Sequence, residues 1–293
     1  MKTHVLVIAD QETDNSIALR KASEFISDSD TRVTVLAFID TSGVSEIAVS
    51  HNERVAALQG AVAEILSGRN KSAIDIVSTP DIAAYCASFC RDQDVSLVVK
   101  TGHRSESLVY TPLDWQLIRK LPCPIIIAVG HELSQDRKLL VALDVHSNNP
   151  AQRELDKKVL NWAGQWADAN DFSLYIASCI EAPEPLTSSD SELLMDLESK
   201  LRPRIEPLIR DLLTELSLSS KGVLISAGSP DVVLRRLAEE LDADLVVMGY
   251  TARHGLGNLL IGHTAEKVMH RLDRNLAVVQ SHTEDENLKN QTS

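Results

Sequence analysis

No apolar run in this chain approaches the length of a membrane span. The opening "MKTHVLVIADQETDN" has a short apolar stretch that ends at Asp10, with no small-residue cleavage site, so it reads as a core strand rather than a signal segment. Basic residues are in deficit: 29 Lys and Arg stand against 42 Asp and Glu, a formal charge of −13. Such a chain is a poor partner for the phosphate backbone of nucleic acid or for anionic lipid. Cysteine is scarce, at four residues. Cys86 and Cys90 lie one helical turn apart in "YCASFC", without further Cys or His ligands nearby, and read as a buried helix face. Everything here suits a reducing, cytoplasmic setting. Catalytic signatures are missing too. The nine histidines are scattered, no Walker lysine is present, and no Ser-His-Asp context or metal-ligand cluster can be found. The chain is therefore expected not to be an enzyme and to hold no metal.

What is present is repetition. "HVLVIAD" (4–10) returns as "KLLVALD" (138–144), and "STPDIAAYCASF" (78–89) as "GSPDVVLRRLAE" (228–239). "VSLVVKTGHR" (95–104) returns as "ADLVVMGYTAR" (243–253), and "LIRKLPCPIIIAV" (117–129) as "VMHRLDRNLAVV" (268–279). The order is kept, which predicts two related domains, 1–134 and 135–293. In each, β-rich runs alternate with helical segments. The strands expected are "HVLVIA", "RVTVLAF", "AIDIV", "SLVV" and "IIIAV", then "KLLVAL", "FSLYIAS", "GVLIS", "DLVVM" and "LAVV". Five such strands alternating with helices predict an α/β, doubly wound parallel sheet in each domain. In "PDVVLRRLAEEL", Val233, Leu234, Leu237, Ala238 and Leu241 share one helical face, with Ser229 as cap and Pro230 in the first turn. The helix over 188–217 is expected to break at Pro203. The tail 281–293 has one apolar residue, Leu288, and is expected to be mobile.

Doubly wound sheets bind ligands beyond the carboxyl ends of their strands, where strand order reverses. In the second domain Asp144 follows the first strand and Gly249 the fourth, so both are expected to face one crevice. Between Gly249 and the helix starting near Thr264 lie Gly255, Gly257 and Gly262, whose loop amides can point at an anion.

Asp144 together with "MGYTARHGLGNLLIGHTAEKV" resembles the universal stress protein family. The nucleotide-binding members of that family carry Gly-x2-Gly-x9-Gly-Ser/Thr after strand four and an Asp at the end of strand one. "VVKTGHRSESLVYTPLDWQLIRKLPCP" (98–124) resembles its tandem universal stress protein E group. The resemblance implies two Rossmann-like, five-stranded domains packed as a pseudo-dimer, the last strands "IIIAV" and "LAVVQ" covering one another's edges. It also leaves room for homodimers. It implies a cytoplasmic stress-response protein that binds ATP or a metabolite without turning it over. The other readings are a carrier of an apolar or nucleotide-linked ligand, and a slow ATPase.

Carried over by position, Gly249 takes the first glycine and Gly262 the third. Ala252 stands where the second glycine would be, and His263 where the Ser/Thr would be, with Thr264 one place later. Asp144 takes the ribose-contacting acid. Met248 precedes the first glycine. Cys179, expected just after strand two, falls where backbone groups hold adenine. Arg253 and His254, and His263 when protonated towards pH 6, can supply positive charge in place of the lost groups. The loop thus reads as descended from an ATP site and weakened. The first domain keeps Asp10, but its loop has one glycine, Gly102, and no phosphate cradle. Asp114 and Trp115 of "TPLDW" read as structural, the Trp packing at a domain interface.

Overall fold

The computed structural model describes residues 3–9, 16–26, 30–38, 47–66, 72–102, 112–181, 191–251, 267–269 and 271–281. Asp10, Thr111, Ala252, Arg253, Gly262, His263, Thr264 and the tail beyond Ser281 lie outside them. The chain separates into two compact units, Met1–Gly130 and His131–Ser293. The division lies a few residues before the one read from the repeats.

All ten expected runs are strands. The first unit contains β1 (His4–Ile8), β2 (Arg32–Phe38), β3 (Ser72–Val77), β4 (Leu97–Thr101) and β5 (Ile125–Ala128). Its pairings are parallel, β3 to β2, β2 to β1, β1 to β4 and β4 to β5. The central strands β1 and β4 are buried at every position, as continuous apolar runs demand when helices cover both faces. Helices α1 (Ile17–Phe25), α2 (Ile47–Ile65), α3 (Ile82–Asp92) and α4 (Pro112–Lys120) connect them. Local signals set their starts. The Ser16 hydroxyl accepts from the Leu19 amide at 3.3 Å, and the Asp81 carboxylate from that of Ala84 at 2.9 Å.

The second unit repeats the order with β6 (Lys138–Leu143), β7 (Ser173–Ile180), β8 (Gly222–Ala227), β9 (Leu245–Tyr250) and β10 (Asn275–Gln280). Here β10 pairs with β9, β9 with β6, β6 with β7 and β7 with β8, again all parallel. Strand order reverses at β6, whose neighbours β7 and β9 come from opposite directions of winding. The helices are α5 (Pro150–Asn170), α6 (Ser191–Glu215) and α7 (Pro230–Leu241). Asn149 caps α5, its side chain accepting from the Ala151 amide at 3.0 Å, and Asp171 ends it in the left-handed conformation.

Three local expectations need correction. α6 does not break at Pro203; it runs through both Pro203 and Pro207. Both prolines are on the exposed face, where water can satisfy the carbonyls that lose an N–H partner. The Arg202 guanidinium also donates to the Ile225 carbonyl at 2.8 Å, holding that region of α6 to β8. Ser229 occupies the cap position of α7 but makes no capping bond. Its hydroxyl meets the Asp231 carboxylate instead. On α7, Val233, Leu234, Leu237 and Ala238 are buried as expected, while Leu241 is half-buried.

Candidate functional site

β6 and β9 end side by side, and a cavity of about 310 Å³ opens beyond their carboxyl ends. β6 delivers Ala142, Leu143 and Asp144 to it; β7 delivers Ala177, Cys179 and Glu181. Met248, Gly249 and Tyr250 come from β9, Gln152, Leu155 and Asp156 from α5, and Pro230 and Leu234 from α7. Parallel winding forces this meeting. Each strand enters at the same edge of the sheet and leaves at the other, so residues far apart in sequence share one rim.

Four residues singled out from sequence come together here: Asp144, Cys179, Met248 and Gly249. The other four, Arg253, Gly262, His263 and Thr264, lie outside the described residues. Two of those brought together sit differently from expectation. Cys179 and Gly249 do not follow their strands. They lie inside β7 and β9, in register with Ser226 of β8 and Val279 of β10. Nor does Gly249 serve a left-handed turn, since its φ is not positive. A Cβ there would stand 2.7 Å from the Leu155 side chain. The absence of a side chain there leaves room for Leu155 of α5, which would have to shift for a Cβ.

The described walls of the cavity are acidic. The half-exposed Asp144 carboxylate lies 3.4 Å from His146 Nε2, and burial raises its pKa above the ordinary carboxylate value, with Glu181 adding to the shift and His146 opposing it. Asp156 is 2% exposed. Its Oδ1 accepts from Gln152 Nε2 at 2.9 Å and from the Asp144 backbone N–H at 3.3 Å. Burial outweighs these bonds and pushes Asp156 up to about 6, the nearby Asp144 charge assisting. The Cys179 thiol is pushed up to about 12, chiefly by burial, so it stays protonated and poorly nucleophilic at neutral pH.

Asp156 was not anticipated. In "PAQRELDKKVL" it reads as one more charge on a charged helix. One signal marks it: it precedes Val159 by three and Leu160 by four, which puts it on the face those residues bury. An acid on a buried stripe requires partners or a purpose.

The related strand positions of the first unit are furnished differently. By strand register Lys100 on β4 corresponds to Met248, and Thr101 to Gly249. Lys100 is 3% exposed and its Nζ lies 2.7 Å from Asp114 Oδ1 on α4, itself fully buried. The Thr101 hydroxyl accepts from the Ala18 amide at 2.9 Å. Asp114 is thus an internal counter-ion, and its neighbour Trp115 is buried on the same helix. The thiols of Cys86, Cys90 and Cys123 are buried and free. Burial raises Cys86 to about 12, while hydrogen bonding to Cys123, then burial, raises Cys90. Among the described residues no group of three or more His, Cys, Asp or Glu could hold a metal ion, and no helix is long and apolar enough to cross a membrane.

Residues 137–280 match the model of the universal stress protein family. Universal stress protein E homolog of Haemophilus influenzae is 27% identical over 208 residues, covering 67% of this chain and 65% of the relative. Universal stress protein E of Salmonella typhi is 29% identical over 193 residues, covering 63% and 60%. The matched region thus spans somewhat less than two thirds of these curated relatives. Among solved structures, a functionally unknown protein from Pseudomonas aeruginosa PAO1 is 22% identical with a TM-score of 0.70, covering 94% of this chain and 92% of that one. A universal stress protein from Archaeoglobus fulgidus DSM 4304 is 15% identical with a TM-score of 0.63, covering 96% and 100%. These last two likenesses speak to the fold alone. Residues 137–280 therefore belong to the universal stress protein family, and the chain is similar to universal stress protein E.

Proposed function

We propose that this is a cytoplasmic stress-response protein whose second unit binds a small nucleotide, with ATP as the first candidate, without catalytic turnover. The observation that supports the reading most is the cavity at the switch point, where Asp144, Cys179, Met248 and Gly249 meet. In this reading Asp144 accepts from ribose hydroxyls, and the rim of β7 at Cys179 lies against the base. Arg253, Gly262, His263 and Thr264 hold the phosphates. Ala252 and His263 depart from the family pattern, which makes the affinity weak. The acidic lining does not favour a carrier of apolar metabolites, because covering carboxyl groups with an apolar ligand costs their solvation.

Titration calorimetry with ATP tests the reading. Weak wild-type binding is expected, tightened by Ala252→Gly combined with His263→Ser. Asp144→Ala should weaken it by about 1–3 kcal/mol, the range for a hydrogen bond to a charged group. Absence of binding in wild type and in the double variant would refute the nucleotide reading. Steady phosphate release from bound ATP would replace it with a slow ATPase. Pairing of the two units as a pseudo-dimer, which the resemblance to the family implies, belongs to the same proposal. Small-angle scattering showing two separated lobes would overturn that part.

A further inference from the structure

Asp156 has one oxygen engaged and one buried without a partner. Oδ1 takes the Gln152 and Asp144 donors. Oδ2 is buried and has no hydrogen-bond partner among the described residues, although Asp156 lines the cavity. A buried carboxylate oxygen without a donor is costly, and a cavity beside it gives a donor somewhere to arrive from. The titratable groups that line the cavity with it are Asp144 and His146 beyond β6, Cys179 and Glu181 on and after β7, and Tyr250 on β9. Among the described lining residues His146 is the one basic group against three carboxylates, Asp144, Asp156 and Glu181, so the described lining favours a hydrogen-bond donor over an anion.

We propose that Asp156 is a ligand-contacting residue, its unpartnered Oδ2 accepting a hydrogen bond from an O–H or N–H of a ligand that seats against this wall of the cavity. The inner crevice then selects the donor-rich part of a molecule, a sugar or an amine, and leaves any phosphate to the rim. This rests on the reading that the crevice binds a small molecule, but does not require that molecule to be a nucleotide. The titration of Asp156 near pH 6 gives the contact a signature. A ligand donor favours the carboxylate, so binding expels the proton and affinity rises with pH from 5 to 7, by about tenfold if one proton is fully lost.

The test uses adenosine and ATP against the full chain and its Asp156→Asn variant, by calorimetry at pH 5, 6 and 7. In parallel, the Asp156 carboxyl carbon of the wild type is followed by NMR as adenosine, ATP, ribose or spermidine is added. Asparagine keeps an oxygen for Gln152 and Asp144 but puts an N–H donor where Oδ2 stands, which cannot accept a ligand's hydrogen bond. Adenosine binding should weaken at least tenfold in the variant at pH 7 and lose its pH dependence. In wild type the carboxyl resonance should shift and its titration midpoint should fall. Nucleotide binding that is unaltered in the variant, with no shift at Asp156, would overturn this proposal and leave the nucleotide reading intact. A shift with ribose or spermidine, when neither nucleotide binds, would support it and remove the nucleotide reading. No shift with any of the four probes would overturn it outright. The wild-type resonance also decides the matter if the variant fails to fold.

Discussion

At the scale of single residues, the crevice is built from contacts that a residue's type alone does not disclose. Gly249 is the clearest. Its role is to let Leu155 approach β9, so the expected damage from a side chain there is steric and reaches the fold before it reaches any ligand. Gly249→Ala should cost about 1–3 kcal/mol of stability, the usual range for overpacking. Leu155 is itself buried, so the double variant with Leu155→Ala should lose less than the sum of the two single losses, because the clash disappears. Denaturant melts of the two single variants and the double variant check this; strictly additive losses would show that the glycine serves something other than helix approach. Asp156 gives a second prediction. Burial raises its pKa to about 6, so the unfolded chain releases this proton at lower pH than the folded one. Stability contributed by the neutral acid is therefore present at low pH and lost as pH rises through 6. Asp156→Asn should make the protein more stable than wild type by about 1–3 kcal/mol above pH 7, taking about 1.4 kcal/mol per pH unit as the ceiling. The gap should close near pH 4. A constant gap across that window would show that Asp156 does not titrate there.

At the scale of elements, the two units use the same strand–helix frame to different ends. β4 carries Lys100 and pairs it with Asp114 of α4; β9 carries Met248 at the related place, against an open cavity. A buried ion pair is costly to break from one side, since the remaining charge has lost its counter-ion. Lys100→Met should destabilise the first unit by about 3–5 kcal/mol, and adding Asp114→Leu should recover most of it. Urea melts of both variants would test the pairing. A mild loss in the single variant would mean that the pair matters little. A different device fixes the start of the second unit. Asp244, fully buried just before β9, accepts from the Ser134 hydroxyl and the Lys138 backbone N–H, both at 2.7 Å. It ties the segment leading into β6 to the strand beside it. Asp244→Ala leaves those donors without an acceptor and should cost about 2–4 kcal/mol. Hydrogen exchange should then quicken at the first residues of β6, and unchanged exchange there would contradict the tie.

At the scale of the whole molecule, the repeat predicts two crevices, whereas the furnishing of each supports one ligand per chain. Calorimetry should give a stoichiometry near one. Asp144→Ala should reduce all of the binding, and Lys100→Met should not create a second site. A stoichiometry of two would show that the first unit binds as well. Much of this frame was legible in the sequence. Unbroken apolar runs such as "LVVM" and "IIIAV" can satisfy burial on both faces only inside a covered parallel sheet, and their alternation with capped helices leaves little choice of topology. That places Asp144 and Gly249 at one rim, because parallel winding sends every strand's carboxyl end to the same side. What the sequence could not decide is which side chains meet across that rim. Leu155 against Gly249, Lys100 against Asp114, and Asp156 beside Asp144 join positions from 12 to 94 residues apart, on strands and helices brought together by crossovers. Local periodicity carries no record of such distances. Only the packed tertiary structure, which sets how closely a helix lies on its sheet, turned a charged helix residue into a half-satisfied acid at the floor of a cavity.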